Sequence, residues 1–297
     1  MTPTPTALPL LPTVWTTWFW LVRNLPAVAM MGLPYTALYA LSLIWMQIGP
    51  VGALAGVGGF LISLSGLLAM LAFQGAVFRM HGRGEAGGLG ALRLGADEGR
   101  LFIVQLLVGF LVLLVAILAV IFWAAVQVSI ANGVLQANGI DPENNPYDAA
   151  TVMSLYGPSE IVVLVIVSLI VIAAMGWLIA RLALAYPATI IRGRIQVMKI
   201  WPVSNQNAWR ITLVAALTLI PVMLVEIGLY EIAVMIVGSS FLETVQRGVE
   251  ADVAGFARGQ AWMRWIGLFT LINLPLQAAL FSGVFLFLSP QDRSQDG

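Results

Sequence analysis

Residues 106–126 contain no charged side chain and no strongly polar one. Coiled at about 1.5 Å per residue, a run of this length spans roughly the 30 Å of a bilayer's hydrocarbon. A backbone surrounded by hydrocarbon must satisfy its own hydrogen bonds, so the run predicts a transmembrane helix. Composition extends the point to the whole chain. It is 60% hydrophobic and 9% charged, whereas about a quarter of the residues in soluble domains are charged. The formal net charge is zero, which gives no support to a nucleic-acid partner.

Read for further apolar runs, the sequence predicts a single all-α, polytopic domain over 1–297. Six transmembrane helices are expected at about 26–46, 54–78, 101–131, 161–185, 211–236 and 266–288. Trp15, Trp18 and Trp20 precede Arg23. Tryptophans favour the headgroup zone, so 14–24 reads either as an interfacial helix or as an extension of the first span. In the second span Gly52, Gly56, Gly59 and Ser63 make a small-residue ridge. It suits close helix packing within the chain or pairing with a second copy or a partner membrane protein.

Orientation follows from the connector at 181–210. It carries five of the 14 cationic side chains and no carboxylate. The connector at 79–100 adds four arginines, and the long loop after the third span is acidic without any cation. Cationic connectors stay in the cytoplasm, so this is a multi-pass inner-membrane protein with both termini cytoplasmic. Arg23, Arg100 and Arg210 each stand just before an odd-numbered span. That weak repeat predicts three hairpins, each with an interfacial helix on the cytoplasmic side.

Two constellations carry candidate chemistry. Placed on one helix, 187–201 gathers Arg192, Gln196 and Lys199 into a polar stripe, with Arg194 inside a broad apolar arc. Arg194 reads as a snorkelling side chain, or as a clamp for an anionic lipid phosphate helped by Arg192 and Arg210. Arg181, at the inner end of its span, reads as snorkelling. Deeper in the membrane, Glu226 lies at about the depth of Asn273 and Gln277, which stand four apart around Pro275. These polar groups read either as an internal hydrogen-bonded tie or as a substrate or proton relay.

Other chemistry finds no residues. There is no cysteine, and the single histidine is His81, so neither a catalytic triad nor a histidine metal cluster is expected. The acidic stretch DPENNPYD has Pro146 where a calcium loop needs glycine, and it reads as a solvated loop. No catalytic residue, metal site or cofactor is predicted.

The two cationic connectors also carry a resemblance. Arg93, Leu94, Gly95, Asp97 and Glu98 in the first pair with Pro187, Ala188, Gly193, Arg194, Trp201, Ser204, Trp209 and Arg210 in the second. With these residues the chain resembles a family of uncharacterised six-span inner-membrane proteins of proteobacteria. More distantly it is similar to the membrane domain of glycerophosphoryl diester phosphodiesterases. In those enzymes the chemistry belongs to a separate soluble domain, so the resemblance implies the fold and not the activity. The expected function is non-enzymatic: a lipid-contacting or scaffold role in the envelope, partnered by membrane lipids. The alternative is a small-molecule or proton-coupled transporter using Glu226, Asn273 and Gln277.

Overall fold

The computed structural model describes residues 7–48, 53–140, 149–237 and 272–289. Among them the chain is helical apart from short connections, without a strand. The elements are α1 (Leu10–Ile48), α2 (Ala53–Gly82), α3 (Ala96–Ala137), α4 (Ala149–Ser154) and α5 (Pro158–Leu182). Then come α6 (Ala185–Arg192), α7 (Ile200–Ser204), α8 (Ala208–Val237) and α9 (Ile272–Leu288).

Five of these helices are long and apolar enough to cross a membrane, and α9 is a shorter apolar helix. Residues 266–271, expected to open the sixth span, lie outside the described residues. So do the acidic loop at 141–148 and Gly52 of the small-residue ridge.

Of two stretches with an expected local form, the first takes one of its two alternatives and the second departs from its own. Residues 14–24 are the early turns of α1, which continues unbroken through Pro26 and Pro34. The stretch 187–201 is not one helix. It breaks at Gly193, whose φ of 62° and ψ of 24° put it in the left-handed region that closes α6. Glycine adopts that conformation without the steric cost of a Cβ, and it commonly ends helices this way. The polar stripe dissolves with the helix. Gln196 and Val197 are buried, whereas Met198 is 73% exposed.

The chain forms two compact units. One joins Met1–Gln105 to Arg181–Gly297, and the other is Leu106–Ala180. In the first, α1 packs on α2 and α8, and α2 packs on α6. Its core takes Val28 and Met31 from α1, Phe73 and Val77 from α2, Ile190 from α6 and Leu276 from α9. In the second unit, Trp123 of α3 donates its indole N–H to Ser168 of α5 at 3.0 Å. Along its most apolar stretch α3 is only 6% buried within the protein, and the most apolar stretch after Pro158 is not buried at all, as expected of helices solvated by lipid.

Candidate functional site

At the junction of α2, α3 and α6 the first unit buries a network of charges. Arg79, on the last turns of α2, is fully buried. It pairs with the buried carboxylate of Glu98 and lies 3.3 Å from Glu85 Oε2. Its Nη2 donates to the Ala91 carbonyl at 2.9 Å. A guanidinium removed from water needs partners around its fork; here both terminal nitrogens donate hydrogen bonds, while Nε faces the Glu85 carboxylate without one. Glu98 also accepts the Gly95 N–H at 2.9 Å. That is half of a capping box at the start of α3, so the carboxylate both caps the helix and neutralises the arginine.

The network continues outward. Asp97 accepts from Arg83 at 2.9 Å and from Arg100 at 3.0 Å. The other arm of Arg83 donates to the Ile190 carbonyl in the last turn of α6. Arg93, the most exposed member, pairs with Glu85 at 3.1 Å. Four arginines face three carboxylates, and the connector is thereby fastened to α6.

The sequence indicated four arginines and a carboxylate pair at this place but not their junction. Glu98 stands three residues after Gly95, and that spacing is the one signal of the helix cap. Arg79 and Glu98 come from different helices, and only packing brings them together. Gly75 makes room: a Cβ there would lie 2.5 Å from Glu98 Oε1.

The lipid-clamp candidates separate in space. Arg194 is exposed just past the Gly193 turn. A Cβ built on Gly193 would lie 3.9 Å from Arg100 Nη1, so Arg100 borders the same turn. Arg192 donates to Gln196 Oε1 at 3.3 Å, and its guanidinium lies 5.1 Å from the Phe285 ring of α9. Arg210 donates to the Leu8 carbonyl at 2.9 Å, while Asn207 accepts the Leu8 N–H at 2.9 Å. Arg210 thus holds the N-terminal segment.

Arg181 corrects an expectation. It does not snorkel but is 2% exposed. Its Nε donates to Ser204 Oγ at 2.9 Å and its Nη2 to the Trp201 carbonyl at 2.8 Å. The Trp201 ring centre lies 3.8 Å from its guanidinium carbon, a cation–π contact that suits a desolvated arginine. The partners sit 20 and 23 residues away, beyond the reach of any helical wheel.

Of the polar group expected within the membrane, Asn273 donates its side-chain amide to Glu226 Oε1, joining α9 to α8. Gln277, one turn further on, is exposed and stands apart from that bond. In the ridge on α2, Gly56 and Ser63 are exposed, and Gly59 faces the Trp45 ring of α1.

No family model, curated protein or solved structure matches the chain.

Proposed function

We propose that the protein is a non-enzymatic, lipid-contacting or accessory component of a bacterial inner membrane, with both termini in the cytoplasm. One observation carries the reading. The turn at Gly193 presents exposed Arg194 beside Arg100, and the next residues expose Ile195, Met198 and Trp201. Cations interleaved with exposed apolar side chains suit the headgroup zone, where phosphates meet hydrocarbon. Arg194 is the residue that best fits the phosphate clamp, with Arg192 behind it. Arg210 fits it less well, because its guanidinium already serves Leu8.

The test is anionic lipid retained through purification. Each juxtamembrane cation contributes about 1 kcal/mol to the attraction, so Arg194→Gln is expected to lower retention about fivefold. Arg293→Gln in the C-terminal tail should leave it unchanged. Equal retention in the two variants would remove the clamp. The transport alternative draws on the bond between Glu226 and Asn273. The exposed Gln277 outside that bond favours a tie between α8 and α9 over a continuous relay.

A further inference from the structure

The second unit holds a groove of about 310 Å³ between the C-terminal turns of α3 and the N-terminal turns of α5. Its walls are Ile130, Gly133 and Ala137 on one side and Val163 on the other, with Glu160 and Ser159 at one end. The two helices run antiparallel here. Trp123 meets Ser168 at the indole–hydroxyl bond, and seven residues further along α3 Ile130 shares the groove with Val163. The groove therefore begins about 10 Å, two helical turns, beyond that bond. A Cβ on Gly133 would meet nothing within 4 Å, so the wall is open where a side chain would fill it.

Charge distinguishes this end. From 101 to 180 the sequence has no lysine or arginine, so the second unit contains no cation. Glu160 Oε2 accepts from Ser159 Oγ at 3.0 Å. Lying in the first turn of α5, it complements the helix dipole. No cation of its own unit neutralises it. A groove with apolar walls and a carboxylate at its end selects a ligand with an alkyl chain and a cationic, hydrogen-bond-donating head.

We propose that this groove binds a lipid of the surrounding membrane that carries a primary ammonium headgroup. Its acyl chain lies along Gly133 and Val163, and its ammonium meets Glu160. A quaternary headgroup has the same charge but no N–H to donate, so it is the discriminating control. The site is independent of the cationic turn at Gly193, and its failure would leave the phosphate clamp untouched.

The experiment is native mass spectrometry of the full chain in a neutral detergent. The probes are dioleoyl phosphatidylethanolamine and dioleoyl phosphatidylcholine, which share their acyl chains. The ethanolamine lipid is expected to be retained about threefold over the choline lipid, the scale of one exposed hydrogen bond. Glu160→Ala, which removes the acceptor, should bring the ratio to one. Gly133→Leu, which fills the groove, should lower both lipids, and Val163→Phe should do the same if Gly133→Leu folds poorly. Dodecylamine should displace the ethanolamine lipid at concentrations where dodecanol does not. Equal retention of the two lipids by the unmodified chain would overturn the proposal, as would a ratio that survives Glu160→Ala. Loss in the filled variants without any effect of Glu160→Ala would make the groove an acyl site without headgroup selection, and would equally overturn it. Full retention in both filled variants would show that lipid binds elsewhere.

Discussion

Gly75 is where a single hydrogen atom decides whether two charges meet. A methyl group there would approach Glu98 Oε1 to 2.5 Å and Arg79 Nη1 to 3.3 Å. Gly75→Ala must therefore push the carboxylate away from the guanidinium. Overpacking of this kind costs about 1–3 kcal/mol. Glu98→Gln removes the charge instead and leaves Arg79 buried with less compensation, costing about 3 kcal/mol. Both changes act on one ion pair, so the double variant should fall well short of the sum. Thermal melting of the three variants in detergent measures this. Strict additivity would mean that Gly75 and the pair are independent, contrary to the packing. Nothing in the sequence marks Gly75 among 29 glycines, because its role exists only once α2 and α3 are side by side.

At the scale of elements, the apolar runs made the long helices legible. Hydrocarbon leaves a spanning backbone almost no other choice. The short elements were harder to read. A helical wheel over 187–201 assumes the regular turn that it then appears to find, and Gly193 between Arg192 and Arg194 was the stop signal it overrode. The burial of Arg181 was illegible for another reason: Trp201 and Ser204 reach it only after the chain has folded back. Glu226 of α8 and Asn273 of α9, expected at equal depth, do meet. That bond allows a prediction. The Asn273 amide donates to a carboxyl oxygen, and a glutamine in place of Glu226 offers an equivalent acceptor at similar volume. Glu226→Gln should melt close to the unmodified protein, whereas Glu226→Leu strands the amide and lowers stability by about 1 kcal/mol. If both variants melted equally early, the tie would depend on the carboxylate's charge rather than on its hydrogen bond.

For the whole chain, the arrangement of charge predicts that Lys199 faces the cytoplasm and Asn138 the opposite side of the membrane. Both residues are exposed, and the chain contains no cysteine, so single reporters are clean. In intact spheroplasts an impermeant maleimide should label Asn138→Cys, and Lys199→Cys only after permeabilisation. The opposite pattern would invert the topology. Gln196 would make a poor reporter, since it is 1% exposed. The clip at Leu8 has a bearing on how such a molecule is made. Its backbone is held by Asn207 and Arg210, 199 and 202 residues later in the chain. At roughly 5–20 residues per second, a ribosome reaches Arg210 some 10–40 s after passing Leu8. Meanwhile the second unit emerges whole, as an insertion between the two halves of the first. The N-terminal segment must wait through that interval without its partners, and the first unit closes only late in synthesis.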